Sequence, residues 1–457
     1  MVRANRPCVR LTAGELLLCS LKMRFVAVLL VAAAGVWAQL PLVESSFDGG
    51  SETTWRKWSP REEIAPKIFV DNAQSRGGRG ALAISGAGNP ASSGGWQREA
   101  GPVEPGRWYR LTAWYRAQGL TEEANQILAR LAWVDASGRK TGQPEFAWDV
   151  TTEGAWKRLT VAAPAPEKSS RALVQLWLHN APGATVWWDD IRVEQIEPPA
   201  PRNVSIAAVR LRPSRSTGRE ENIRLFSEVV RKQTPATMDL IVFPEGMTVV
   251  STGKKYPDVA ETVPGPTTKA LGELARERKS WIVAGLYERD GTAIYNTAVL
   301  IDREGRFAGK YRKVYLPREE VESGLTPGNE YPVFRTDFGR VGLMICWDVQ
   351  YADPARALAL NGAEIVVLPI WGGNLTLTKA RAIENSVYVV TSGYDIPSLI
   401  LDPHGEALAS TETNGEVALA TVDLNRRHPW EWLGDMKGRF MREVRLDVPV
   451  KRPTSQH

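Results

Sequence analysis

Three residues in the second half of the chain have types suited to joint covalent chemistry: Glu245, Lys313 and Cys346. Each lies at or near the end of a segment that reads as a strand. Glu245 closes DLIVFPE (239–245), Lys313 lies in GKYRKVYLP (309–317) behind a hairpin pattern, and Cys346 sits near the end of VGLMICW (341–347). A carboxylate at a strand's carboxyl end stands where ligands usually bind in open α/β sheets. A thiol can attack a carbonyl, but at neutral pH it needs a base or a cation to help it ionise. A carboxylate can take that proton and later return it. An ammonium can receive the charge that grows on a carbonyl oxygen. Taken singly, each residue has a plainer reading: a cysteine in an apolar strand is most often filler, a glutamate before glycine a turn residue, and a lysine a solvated charge.

The elements that must position these residues alternate. Strand-like VSIAAVRL (204–211) is followed by a helical pattern over 219–233 with Ile223, Phe226 and Val230 on one face. After the strand ending at Glu245 come a helix over 267–279 and strands over 281–288, 294–302 and 341–347. A helix over 352–362, a strand over 364–370, a helix over 376–385 and a strand over 387–393 follow. Such alternation predicts α/β layers. The near-continuous apolar strands suit a sheet covered on both faces, and the strands either side of Asp302 and Gly305 predict a hairpin, hence a mixed sheet.

The three residues, 68 and 33 positions apart, stand in the motifs PEG, YRKVYLP and ICWD. With TPG (326–328), RTDFGRVGLMICWD (335–348) and KARAIENSVYVV (379–390), residues of about 203–440 resemble the carbon–nitrogen hydrolases, the nitrilase-like amidases. The resemblance implies an α-β-β-α four-layer sandwich and neither metal nor organic cofactor. It implies Glu245 as general base, Lys313 as oxyanion stabiliser and Cys346 as nucleophile, with a backbone N–H near Trp347 as a second oxyanion donor. It also implies a second glutamate between the lysine and TPG, where PREEVESGL offers Glu319, Glu320 and Glu322; Glu320 is the first choice and Glu322 the second. Asp348 after Trp347 points to an amide or N-carbamoyl amide substrate, since the nitrile-cleaving branch more often has glutamate there. Dimers are common in this family, and HPWEWLGD (428–435) reads as a C-terminal arm for a partner subunit, before a tail over 441–457. Trp371, Trp430 and Trp432 are read equally as lining of the pocket or of a subunit contact and as core.

Residues of about 45–198 follow another grammar. Short runs such as RWYRLTAWYRA (107–117) and AWKRLTVAAPA (155–165) alternate apolar and polar residues between Gly, Pro, Ser and Asn, which predicts an antiparallel β-sandwich. The opening ESSFDGG (44–50), the middle run and the closing VWWDDIRVEQ (186–195) resemble jelly-roll carbohydrate-binding-like modules. The dense tryptophans serve as core or as a platform for a glycan. IEPPAPRN (196–203) reads as an extended spacer that keeps the two folds apart.

The N-terminus reads as a targeting segment. A basic start at Arg24 leads into an apolar run, Phe25 to Trp37, with small residues Val36 and Ala38 before a cleavage site after Ala38; Met23 is a candidate true start. Residues 1–38 are therefore expected to be a signal peptide and the mature chain to be exported. Cleavage would remove Cys8 and Cys19 and leave Cys346 as the one thiol. The charges, 57 Lys+Arg against 52 Asp+Glu in 457 residues, are interspersed, which argues against a nucleic-acid partner. Of the four histidines, His179, His404, His428 and His457, none adjoins the motifs. The expected activity is hydrolysis of a small-molecule amide through a cysteine thioester. The alternatives are a nitrilase, a non-catalytic glycan-binding protein, and a glycosidase using paired carboxylates, which would not need Cys346.

Overall fold

The structure is a computed structural model that describes residues 41–45 and 54–449. The expected targeting segment, Cys8 and Cys19, most of the ESSFDGG opening and the last eight residues lie outside the described residues. The described residues belong to one compact unit.

Two antiparallel sheets make up the first region. Seven strands, among them Trp108–Gln118, Trp156–Pro164 and Thr185–Ile196, form one; five, among them Ser93–Ala100, Ile127–Val134 and Arg171–His179, form the other. Along Trp156–Pro164 every second residue from Leu159 is buried, as a sheet with one covered face requires. The covered faces enclose one apolar core that includes Trp55, Trp96, Trp133 and Trp188. Those four tryptophans are thus core residues and form no platform for a ligand.

Two six-stranded mixed sheets form the second region. In the first, Asn203–Arg210, Leu240–Val242 and Trp281–Asp290 run parallel, and the hairpin Ala293–Ile301/Phe307–Arg312 and Glu416–Asp423 flank them antiparallel. In the second, Arg340–Leu343, Ile365–Pro369 and Tyr388–Ser392 run parallel. Alternation of the burial pattern sorts the side chains. Val204, Ile206, Leu240 and Val242 share a core with Val341, Leu343 and Val367 of the other sheet. Ala207, Ile241 and Ile282 point the other way, onto the helices Arg219–Gln233 and Pro266–Arg278 through Phe226, Val230, Leu271 and Leu274. The helices Asp353–Leu360 and Leu375–Asn385 add Leu358 and Ala382 to the second sheet's packing.

The Pro-rich segment 196–203 does not hold the two regions apart. Helix Met436–Glu443 buries Phe440 in the apolar cluster of the second region, and Arg442 Nε donates to the Ala147 carbonyl of the sandwich at 3.1 Å. Arg427 pairs with Glu145 at 2.7 Å, and Gln143 donates to the Trp432 carbonyl at 3.0 Å. The 428–435 arm therefore packs on the chain's own sandwich. The reason is that apolar Phe440 and the guanidinium of Arg442 both find partners within reach of the same chain.

Candidate active site

Glu245 follows strand Leu240–Val242, which is only three residues long because Pro244 has no N–H to continue the ladder. The chain then crosses strand Trp281–Asp290 at Gly285. A Cβ on Gly285 would stand 2.5 Å from Glu245 Cα, and Gly285 N donates to the Pro244 carbonyl at 3.1 Å. Only glycine allows this approach, so the carboxylate's height above the sheet is set by a neighbouring strand.

Lys313 leaves the sheet one residue after Phe307–Arg312. Its N–H donates to the Asn296 carbonyl at 2.9 Å, and its own carbonyl accepts from Gly328 N at 2.8 Å. Gly328, the glycine of the TPG motif, lies so close to Arg312 that a Cβ would meet the Arg312 carbonyl oxygen at 2.1 Å. The motif is thus a clamp on the lysine's backbone.

Cys346 opens a 3₁₀ turn, Cys346–Gln350, after strand Arg340–Leu343, with φ of 40°. That left-handed conformation is costly for a non-glycine residue and is found most often at functional turns. The first N–H bonded inside the turn is that of Asp348, to the Ile345 carbonyl at 3.0 Å, so the Trp347 N–H precedes any acceptor the turn offers. The thiol is partly exposed and donates to the Gly372 carbonyl at 3.8 Å.

The side chains meet in a buried network. Lys313 Nζ donates to Glu245 Oε1 at 2.9 Å and to Glu320 Oε1 at 3.1 Å; Asn296 Nδ2 donates to the same two oxygens at 2.7 and 2.6 Å. Glu245, Lys313, Glu320 and Asn296 are all at most 4% exposed. Glu320 is the inward residue of the short helix Arg318–Glu322, whereas Glu319 and Glu322 lie on the surface beside Arg318.

Electrostatics follow from the burial. Burial pushes the Cys346 thiol well above its ordinary range, the Glu245 charge adds to this, and Lys313 opposes it. Burial works against the Lys313 charge, but Glu245, Cys346 and Glu320 outweigh it and hold the ammonium charged. Burial, with Glu245 beside it and Lys313 opposing, pushes the Glu320 carboxyl up to about 7.

Sequence reasoning passed over the braces. Asn296 lies within an apolar strand, and a polar residue there was the available signal. Asp348 is fully buried. It accepts from Ile345 N at 2.8 Å, Tyr311 Oη at 2.7 Å and Tyr315 N at 3.0 Å, tying the lysine's segment to the cysteine's turn. Arg381 of KARAIEN donates to the Val349 carbonyl and fixes the far end of the cysteine turn. Trp371 adjoins Cys346 through its backbone and meets Tyr394 edge-on at 4.8 Å, while Tyr394 Oη donates to the Glu245 carbonyl at 2.9 Å. Trp430 packs instead on His404 at 4.6 Å, and Trp432 is 74% exposed.

The carbon–nitrogen hydrolase profile matches residues 205–431, the span that contributes all of these side chains. A nitrilase of Pyrococcus abyssi is 34% identical over 245 residues, 48% of this chain and 90% of the relative. An omega-amidase of Bos taurus is 29% identical over 265 residues, 51% and 90%. The crystal structure of Nit3 from Saccharomyces cerevisiae, of the nitrilase superfamily, superposes with a TM-score of 0.44 at 24% identity, over 48% of this chain and 90% of that one. The Pyrococcus relative, 34% identical and matched over nine-tenths of its length, joins the family match in one conclusion: the chain belongs to the carbon–nitrogen hydrolase family and is an amide-type carbon–nitrogen hydrolase.

Proposed function

We propose that the enzyme cleaves a small-molecule amide through a thioester on Cys346. Glu245 takes the thiol proton as sulfur bonds to the carbonyl carbon, and the carbonyl electron pair moves to oxygen. The Lys313 ammonium and the Trp347 N–H receive that oxyanion; a donor of this kind contributes about 3 kcal/mol. The intermediate collapses, the C–N bond breaks, and the proton on Glu245 leaves with ammonia or an amine. Water, deprotonated by Glu245, then attacks the thioester and the thiol is restored. Glu320 and Asn296 are positioning residues that hold Glu245 and Lys313 in register.

The observation that carries this reading is the shared oxygen. Glu245 Oε1 is saturated by Lys313 and Asn296, while Oε2 has no hydrogen-bond partner of its own. One oxygen fixes the carboxylate and the other is left for proton transfer. Intact-mass spectrometry with a panel of primary amides, N-carbamoyl amino acids and nitriles tests it. An acyl adduct and ammonia release, both abolished by Cys346→Ala, are expected. Full activity in Cys346→Ala would refute the mechanism. Nitrile hydrolysis is the second reading, favoured by the Pyrococcus relative, and ammonia from nitriles but not amides would select it.

Three further readings accompany this one. Residues 1–38 direct export and are cleaved after Ala38, which N-terminal sequencing of secreted protein tests. Residues 45–198 are a jelly-roll, carbohydrate-binding-like domain, followed by the hydrolase over 203–440 with its four α-β-β-α layers; a glycan array tests its binding. The enzyme forms a homo-oligomer, which light scattering tests.

A further inference from the structure

Two of the chain's four histidines stand together with an aspartate, outside the site described above. Asp402 and His404 belong to the turn DPHGE (402–406), and His428 begins the arm that crosses to the sandwich. One imidazole nitrogen of each histidine and one Asp402 carboxylate oxygen lie within 4.8 Å of one another. Proximity alone would not make a site, but the hydrogen bonds around the three residues fix which atoms are free.

His404 Nε2 lies 3.0 Å from the His428 carbonyl oxygen. A carbonyl can only accept, so Nε2 carries the hydrogen and Nδ1 of the neutral ring keeps a lone pair. Tyr388 has one hydroxyl hydrogen and donates it to the Asp423 carbonyl at 2.9 Å. The same hydroxyl lies 2.9 Å from His428 Nε2, and there it must accept. His428 Nε2 therefore also carries its hydrogen, and Nδ1 is the bare nitrogen, 3.9 Å from Asp402 Oδ2. Asp402 Oδ1 is engaged by the backbone N–H groups of His404 and Glu406 at 2.9 and 3.0 Å.

Each residue thus has one polar atom tied down. A lone pair on His428 faces a carboxylate oxygen across 3.9 Å, an arrangement that repels unless a proton or a metal ion lies between. Hydrogen bonds on the far nitrogen are what orient metal-binding imidazoles. We propose that Asp402, His404 and His428 bind one divalent transition-metal ion of the zinc class, which fastens the 428–435 arm to the turn at 402–406.

Two imidazoles and one carboxylate suit zinc, cobalt or nickel and disfavour magnesium and calcium, which take oxygen shells. Zinc bonds of about 2.0–2.1 Å put tetrahedral ligand atoms about 3.3 Å apart. The His428–Asp402 pair, 3.9 Å apart, must close by about 0.6 Å to meet this, and pairs as far apart as 4.8 Å by up to about 1.5 Å, through side-chain rotation. Pro403, Arg427 and His428 line a cleft of about 390 Å³ between the hydrolase and the sandwich, so the ion would also stiffen one wall of that cleft.

The test uses the full chain carrying Cys346→Ala, so that the thiol cannot compete for metal. After chelator treatment it is titrated with zinc chloride by calorimetry and with cobalt chloride by visible absorption. One equivalent of zinc bound, a raised melting temperature and cobalt d–d bands are expected, with no response to magnesium chloride. His404→Gln, which retains a donor for the His428 carbonyl, should weaken zinc binding at least tenfold, as should Asp402→Asn. His404→Gln in a chain with native Cys346 should leave amide hydrolysis unchanged. No stoichiometric uptake at zinc up to about 1 mM, or equal affinity in both variants, would overturn the proposal.

Discussion

Asn296→Leu removes the amide donor that bridges the two carboxylates while keeping the side chain's branching. Its Nδ2 spans Glu245 Oε1 and Glu320 Oε1 at 2.7 and 2.6 Å. Hydrogen bonds to charged groups contribute about 1.5–3 kcal/mol each. If the reaction loses the worth of one of them, about 2–3 kcal/mol, kcat/KM falls roughly 30- to 150-fold. Direction in pH adds a second readout. The Asn296 donor holds the Glu320 carboxyl down, so removing it pushes that carboxyl further up. The acid limb of the kcat/KM profile should then move to higher pH, whereas a purely structural loss would lower the profile without moving the limb. The assay is ammonia release from a primary amide between pH 4.5 and 9, with circular dichroism to verify folding. A folded variant within threefold of the native rate, with its limb unmoved, would refute the reasoning.

Glu320→Gln should remove a pH dependence of stability. The Glu320 carboxyl is raised from 4.5 to about 7 by burial, so the folded chain holds a proton that the unfolded chain releases between those values. Its contribution is full below pH 4.5 and is lost as pH rises through 7; urea melts at pH 5 and 7.5 should differ less in the variant, while Glu322→Gln on the surface should stay within about 0.5 kcal/mol of native. Gly285→Ala should cost about 1–3 kcal/mol and most activity, because the new Cβ meets the Glu245 backbone; thermal melts and kcat check it. Asp348→Asn must turn an amide N–H toward groups that are themselves donors, at about 1–3 kcal/mol, and should lower kcat more than it changes KM. Arg427→Met strands Glu145 in a buried position and should cost about 3–5 kcal/mol, read as a lower calorimetric transition.

The alternation of strands and helices, and the three reactive residues at strand ends, were legible because apolar runs have a period and a charged residue inside one is conspicuous. The helix expected over 219–233 is Arg219–Gln233, and Lys313 and Glu245 meet across 68 residues. Choosing among Glu319, Glu320 and Glu322 was beyond pattern, because the five-residue helix that carries them has a single inward position and its rotation is set by where the loop docks. The bracing part of Asp348 was out of reach for a related reason, because its bonding partners include Tyr311 and Tyr315, more than thirty residues away. The arm at 428–435 offered exposed aromatic residues that fit a partner subunit equally well. Its docking on Gln143 and Glu145 depends on the sandwich's position, which nothing local encodes.

The charge arrangement accounts for why so much of the site is bracing. Burial and the Glu245 charge push the Cys346 thiol up, and Lys313 opposes them. In the proposed mechanism the negative charge passes from sulfur to a carbonyl oxygen near Lys313. That ammonium is already shared by two carboxylates, and a mobile lysine would collapse onto one of them. The fixed donor of Asn296, the Gly328 clamp on the Lys313 backbone and the Asp348 tie between the two segments keep Nζ from doing so. In a low-dielectric site, fixed dipoles stabilise a developing charge without reorganising, which is where most of the rate acceleration is found in such chemistry. The strained φ of 40° at Cys346 fits the same logic, since it lifts the sulfur out of the strand line and leaves the following N–H free of the turn.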